Sequence, residues 1–283
     1  MSPAVASAQH DGLLTLRLAC DPRGRTYMAR REQRFPLRTT IAMHEDEHDP
    51  EMAFVYVQNP SGGIFGGDRL RVEIDAGEET RLHLTGQAAT KLCRSFDGGI
   101  GEQELHIRVG RRAYVEHIPE ALIPHLGARY RQQTTVELGE GARFVGSELV
   151  GPGRVGESFA YEELFLRTSV LHGGHELCVD ALRLEPGRQA AVSPAVLGAN
   201  TWLASLLAVS DAVDGEALAL RVDGVLAGLG TEVLAAAGAL PRGCGVLVRI
   251  LARDAVAAWR ALRAAWAVVR RELLGLGLPP VRK

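Results

Sequence analysis

The six residues His44-Glu45-Asp46-Glu47-His48-Asp49 place two imidazoles and four carboxylates side by side. Imidazole with carboxylate suits a borderline ion such as nickel or zinc, which makes His44 and His48 a candidate metal loop. An acidic loop that is simply solvated has the same composition. His172 and His175 flank Gly173-Gly174 and offer the same two readings, a chelate at a hairpin tip or two exposed turn residues. A metal-dependent hydrolase built on the His44/His48 loop would need a third ligand and an activated water.

Isolated carboxylates form the second group. Glu148 in Ser147-Glu148-Leu149-Val150 and Asp180 in Val179-Asp180-Ala181-Leu182 interrupt apolar strand sequence. A carboxylate turned inward there needs a partner, water or a cation. Strand alternation equally allows each to point outward. Asp68 closes the run Asn59-Pro60-Ser61-Gly62-Gly63-Ile64-Phe65-Gly66-Gly67-Asp68. A glycine loop of this kind suggests a phosphate cradle, but a P-loop carries lysine before its Ser/Thr and opens a helix. Here Asp68 takes the lysine position and a strand follows, so a nucleotide is disfavoured. No Gly-x-Ser-x-Gly elbow is present, and the nine histidines are scattered, which disfavours hydrolase chemistry.

Bulk properties narrow the remaining classes. A formal charge of -2 over 283 residues argues against a nucleic-acid coat. Cys20, Cys93, Cys178 and Cys244 form no Cys-x-x-Cys pair, so zinc knuckles and thioredoxin-type chemistry are not expected. Met1 to His10 lacks a basic region followed by an apolar stretch, and a reduced, cytoplasmic protein is expected. The apolar tract Trp202 to Val209 is too short to span a bilayer.

The elements that must position these residues read as mainly β. Leu14, Leu16 and Leu18, then Leu70, Val72 and Ile74, then Leu105, Ile107 and Val109 alternate with polar neighbours, the mark of half-buried strands. Gly77, Gly110 and Gly139 begin similar segments, each between an alternating strand and the next, and Val170 to Val179 reads as a fourth copy. Stacked β-hairpins of this type form a β-solenoid or an irregular sandwich. A plain meander with glycine turns fits the same pattern. The β-rich body spans about 13–190 and a C-terminal part with two helices about 193–283, as one domain over 1–283. Asp214 to Leu229 reads as a helix capped by Asp214 and stopped by Gly230. Ala255 to Leu274 is the clearest helix, with Asp254 as N-cap, Gly275 as stop and Trp259, Leu262, Trp266, Val269 and Leu273 on one stripe.

The Asn59–Asp68 run and Thr85-Gly86-Gln87-Ala88-Ala89-Thr90-Lys91-Leu92-Cys93-Arg94-Ser95 together closely resemble the urease accessory protein family UreD, also called UreH. Ile118-Pro119-Glu120-Ala121-Leu122-Ile123-Pro124, Gly127-Ala128-Arg129-Tyr130 and the tryptophan helix with Pro279-Pro280-Val281-Arg282-Lys283 extend the resemblance over nearly the whole chain. Its motif positions here are Asn59, Pro60, Gly62, Gly63, Gly66, Gly67, Gln87, Ala88, Thr90, Lys91, Arg94 and Ser95. Ser61 departs from a usual proline, and the acidic histidine loop is longer than typical.

The resemblance implies a non-enzymatic scaffold that binds urease apoprotein and joins UreF and the GTPase UreG in nickel delivery. It implies no tightly bound cofactor, transient nickel, no nucleic acid and no membrane. It also implies a polar passage for the ion, for which Asp68, Thr85, Gln87, Glu148 and Asp180 are the candidate lining. An unrelated β-rich ligand-binding module is the alternative; it would display aromatic platforms, and aromatic residues are few outside the last helix.

Overall fold

The structure, a computed structural model, describes residues 9–95 and 97–280. Residues 1–8 and the closing 281–283, used above in the leader reading and the resemblance, lie outside the described residues. Chain order runs β1 (Asp11–Cys20), β2 (Thr26–Arg34), β3 (Arg38–Thr39), β4 (Ala53–Gln58), β5 (Ile64–Phe65), β6 (Arg69–Ala76), β7 (Arg81–Gly86), β8 (Thr90–Cys93), β9 (Gly101–Val109), β10 (Tyr114–His117), β11 (Leu122–Pro124), β12 (Arg129–Leu138), β13 (Arg143–Val150), β14 (Glu163–His172), β15 (His175–Leu184), β16 (Trp202–Val209), α1 (Gly215–Leu226), β17 (Val233–Ala239), β18 (Gly245–Ala252) and α2 (Ala255–Leu274).

Strands of successive units pair in parallel. β4, β7, β10 and β13 stack in one sheet, β6, β9, β12 and β14 in a second, and the short β5, β8 and β11 form a third face. Each rung therefore visits three faces, as in a β-solenoid. The solenoid expectation holds, with one refinement: the strands on either side of the repeat glycines do not pair with each other as hairpins, because the glycine turn is a corner between sheets. Gly77, Gly110 and Gly139 sit above one another at that corner. A Cβ on Gly110 would lie 2.7 Å from the Gly77 carbonyl carbon, and one on Gly139 would lie 3.0 Å from that of Gly110. The backbone links the rungs there, with Gly110 N donating to Ala76 O and Gly139 N to Val109 O, both at 2.8 Å. The fourth copy is a true antiparallel hairpin, β14–β15, which closes one edge of its sheet.

The seven-stranded sheet runs β15-β14-β12-β9-β6-β1-β2, and the larger one β17-β18-β16-β13-β10-β7-β4-β3. Alternation gives the smaller sheet one apolar face. Leu14, Leu16 and Leu18 are fully buried, while its outward face carries charges paired between rungs, Arg71 with Glu104 at 3.3 Å and Arg131 with Glu163 at 3.1 Å. A first core fills the space between the sheets. The larger sheet is buried on both faces except at its edge strand β17, because α1 and α2 cover its far side around a second core. The strands β16, β18 and β17 of the C-terminal part extend that same sheet from β13.

Both helices begin where the sequence signals them and α2 ends there too, whereas α1 ends at Leu226 and not at the expected Leu229, the remaining Ala227–Leu229 tightening into a 3-10 turn before Gly230. Asp214 accepts the amides of Glu216 and Ala217, Asp254 accepts that of Ala257, and Gly275 takes a left-handed φ of 72°. Arg143 at the start of β13 donates to the Leu273 carbonyl over 2.6 Å, placing a cation at the negative end of α2. The α2 stripe packs as core. Leu262, Trp266, Val269 and Leu273 are buried, and Trp259 is partly so.

Candidate functional site

The two motif runs are adjacent rungs of the third face. β5 pairs with β8 through Ile64–Leu92 and Phe65–Cys93, and Gly66 N donates to Cys93 O over 3.1 Å. This close approach explains the glycines. A Cβ on Gly63 would sit 2.8 Å from the Lys91 oxygen, and one on Gly66 would strike the Gly99 oxygen and lie 2.5 Å from Ser95 Cβ. Gly67 turns the chain with φ of 94°. Asn59 pins the loop from inside, its Nδ2 donating to Gly63 O at 3.0 Å while its Oδ1 accepts from Ser61 N at 3.1 Å.

Asp68 is fully buried and engaged by this frame. Oδ1 accepts the His10 amide at 2.8 Å and faces His10 Nδ1 at 3.1 Å; Oδ2 accepts the Phe65 amide at 2.9 Å. It lies outside the residues that line either interior cavity described below. Its geometry is that of a loop anchor, not of a lining group.

Behind the runs a cavity of about 270 Å³ opens between the sheets. Its lining is mainly apolar, and the polar part comes from Gln58, Asn59, Thr85, Gln87, Lys91, Gln103 and His117, of which Gln87 and Lys91 are exposed and Thr85 is buried. Thr85 is held by donation to Ile118 O at 2.6 Å. His117 also lines a second void of about 20 Å³, room for about one water, together with Gln132, Thr134, Glu148, Thr168 and Asp180. A polar seam therefore crosses an otherwise apolar core. On the smaller sheet Tyr130 donates to Gln132 Oε1 at 3.0 Å, and Gln132 Nε2 reaches Thr134 Oγ1 at 3.5 Å. Across the gap Thr168 Oγ1 donates to Glu148 Oε1 at 3.3 Å, and Arg249 pairs with Asp180.

The structure thus brings together Thr85, Gln87, Glu148 and Asp180 through His117, and leaves Asp68 apart. Glu148 points inward because it shares the β13 face of Phe144 and Val150, both in the inter-sheet core. Burial and then the charge of Asp180 push its carboxyl up to about 7, against the opposing pull of Arg249 and the Thr168 hydrogen bond. Burial, then the nearby His83, holds His117 down to about 4, so its imidazole is neutral at pH 7.

The acidic loop is spent on tethering the helix layer. Asp46 Oδ2 accepts from Arg270 of α2 at 2.6 Å, both side chains fully buried. Asp49 pairs with Arg81 of β7 at 2.9 Å, and Glu45 accepts from Tyr56 at 2.8 Å. His44 to His48 spells His-Glu-x-x-His, a pattern that binds zinc when a helix puts both imidazoles on one face. Here the segment is an irregular loop. Burial lowers the His44 pKa, and the His48 backbone amide donates to Asp46. Among the described residues no three His, Cys, Asp or Glu side chains converge as a metal site, at this loop or at His172/His175. His172 Nδ1 instead contacts Leu138 O at 3.0 Å.

Glu116 is a further buried carboxylate, on the opposite face of the larger sheet. It meets His83 Nδ1 at 2.8 Å and accepts from the Tyr114 hydroxyl at 2.7 Å and from Trp266 Nε1 at 3.1 Å. Burial raises its pKa, but the His83 and Arg270 contacts outweigh that and hold it below the usual range. Phe54, His83 and Trp266 stack in sequence.

Comparison with known proteins decides the family. A family model described as UreD urease accessory protein matches residues 10–283. The chain belongs to the UreD urease accessory protein family. It is 36% identical to urease accessory protein UreD 2 of Streptomyces griseus over 92% of this chain and 89% of that one. It is 34% identical to UreD of Mycolicibacterium gilvum, over 93% and 95%, and 34% identical to UreD of Haloarcula marismortui, over 83% and 78%. Among the described residues no helix is long and apolar enough to cross a membrane.

His117, Gln132, Thr134, Thr168 and Arg249 are seam residues that sequence reading passed over. Arg249 carried a signal, being a charge inside the apolar strand Val246-Leu247-Val248-Arg249-Ile250-Leu251, the same reasoning that singled out Glu148 and Asp180. His117 carried none beyond its alternation with the buried Val115.

Proposed function

We propose that this UreD-family chain is a non-catalytic scaffold of urease maturation in the cytoplasm. It holds the urease apoprotein, works with UreF and the GTPase UreG, and conducts nickel through the seam between its sheets. The observation that carries the reading is the polar line from Gln87 and Thr85 through His117 to Glu148 and Asp180, which joins two cavities inside a core where polar side chains cost stability unless they are hydrogen-bonded or paired.

The donor chemistry suits cargo better than a resident ion. Amide and hydroxyl oxygens, one neutral imidazole and one carboxyl that titrates near neutrality bind a borderline cation weakly at each point. Spread along a line, they form no closed ligand set in which the ion would be trapped. Glu148, protonated or ionised at comparable cost near pH 7, can take up the ion and release it against a proton. Asp68 and the glycines supply the frame that keeps the entrance open.

Co-purification tests the scaffold role. The folded chain is expected to capture urease apoprotein and UreF from the same cell, and to support urease activation in cells with UreG. A folded chain that captures neither contradicts the reading.

A further inference from the structure

The cavity behind the motif runs draws its walls from all three faces of the solenoid. Leu84 comes from β7 of the larger sheet, Leu70, Val72 and Leu105 from β6 and β9 of the smaller one, and Ile64 from β5 of the third face. Strand alternation turns each of them inward, and all five are buried in the inter-sheet core. They leave about 270 Å³ between them. Burial gives way beside them: Ala53 to Tyr56 of β4 are buried, Val57 and Gln58 that follow are half-buried, and Gln87, Ala88, Ala89 and Lys91 are exposed. An apolar cavity of about 150 Å³ stays dry and takes up small apolar guests. This one is larger and meets solvent along the segment from Gln87 to Lys91.

Its charge is one-sided. Among the described residues that line it, Lys91 alone is charged at pH 7, and no Asp or Glu is present. His117 adds no second cation, because burial and then the nearby His83 hold its imidazole down to about 4. No described carboxylate pairs with the Lys91 ammonium. The outer face of the smaller sheet is arranged differently, its arginines meeting carboxylates of neighbouring rungs as Arg71 meets Glu104 at 3.3 Å. The other polar groups of the cavity are neutral, and two are already engaged: Thr85 donates to Ile118 O at 2.6 Å, and Gln103 Oε1 accepts from Tyr130 at 3.3 Å. Gln58 and Gln87 add uncharged amide donors. An anion with an apolar body therefore finds a wall for the body and a free ammonium for the head.

We propose that this cavity is a binding site for an organic anion, a carboxylate on an alkyl chain, with the chain against Leu70, Leu84 and Leu105 and the carboxylate at Lys91. The wall selects the chain by burying it. Lys91 selects the sign of the head. A bound carboxylate also offsets Lys91 at the end of the seam that has no acidic residue of its own. The inference stands on the cavity and holds whether or not an ion crosses the seam.

Calorimetric titration of the full chain with octanoate, butyrate and octylammonium tests it. Octanoate is expected to bind one to one, at least tenfold more tightly than butyrate because more methylenes are buried, and at least tenfold more tightly than octylammonium because the head changes sign. Lys91→Met, a change at an exposed position, is expected to keep the parental melting temperature and to weaken octanoate about threefold, the size of an exposed ion pair. Val57→Phe, which fills the cavity from its half-buried wall, is expected to weaken octanoate at least tenfold. Equal affinity for octanoate and octylammonium, equal affinity for octanoate and butyrate, or parental affinity in Lys91→Met and Val57→Phe would overturn the proposal. The comparison of the three probes needs no variant, so it decides even if Val57→Phe fails to fold. None of these measurements uses nickel or urease, so loss of the passage reading leaves them standing.

Discussion

Trp266 of α2 donates its indole N–H to Glu116 of β10 over 3.1 Å, across 150 positions of sequence. Both side chains are buried at the face where the helix layer meets the solenoid. The same Glu116 lies 3.4 Å from Arg270 Nε, and Arg270 reaches on to Asp46. Helix and solenoid are thus locked by one network in which every charge has an opposite neighbour.

Removing the indole should cost both packing and a donor. Trp266→Ala is expected to lose about 3–5 kcal/mol. Trp266→Phe, which keeps most of the stack on His83 but leaves Glu116 one donor short, should lose about 1–2 kcal/mol. Urea denaturation of the two variants checks the order; equal, small losses would mean that α2 does not depend on this contact.

Asp46 and His48 separate tethering from metal binding in the acidic loop. Asp46→Asn removes the charge facing the buried Arg270 and is expected to destabilise the chain by about 3–5 kcal/mol. His48→Ala should change stability by less than about 0.5 kcal/mol and leave urease activation at its parental level. Loss of activation with unchanged stability in His48→Ala would return the loop to the list of metal sites.

The motif glycines should respond according to what surrounds them. Gly66→Ala drives a Cβ into the Gly99 carbonyl and Ser95, and Gly67→Val puts a β-branched residue at φ of 94°. Both are expected to give insoluble or unfolded protein. Gly62→Ala meets no atom within 4 Å and pays only for its φ of 90°, about 1–2 kcal/mol. A soluble, stable Gly66→Ala would show that the two runs are not held by close backbone approach.

Glu148 gives the stability of the fold a defined pH dependence. Its folded pKa of about 7 lies above the ordinary 4.5, so between these values the folded state holds a proton that the unfolded chain has released. Stability therefore falls as pH rises through that window. Glu148→Gln cannot ionise. It should match the parent below pH 4.5 and exceed it by about 1–3 kcal/mol at pH 8. A constant difference across the range would place Glu148 in contact with water.

Much of this was legible from residue order. The alternation of Leu14, Leu16 and Leu18 and the caps Asp214, Asp254 and Gly275 are local, so strands and helix ends follow from neighbours in sequence. The recurrence of Gly77, Gly110 and Gly139 revealed a stacked repeat but not its geometry, because a corner between sheets and a hairpin turn need the same glycine. Asp68 was misplaced for a similar reason: whether a carboxylate faces a cavity or caps its own loop depends on His10 and Phe65 amides that only the fold brings near. His117 joins the two cavities through register with Gly146 and Leu84 on neighbouring rungs, a relation that no local pattern encodes.

The passage is tested most directly by measuring nickel bound per active site of urease apoprotein after activation with the Glu148→Ala, Asp180→Ala chain. A complex with urease apoprotein, UreF and UreG is expected to assemble in parental amount, with a nickel content reduced severalfold. Parental nickel content in the assembled complex would contradict it.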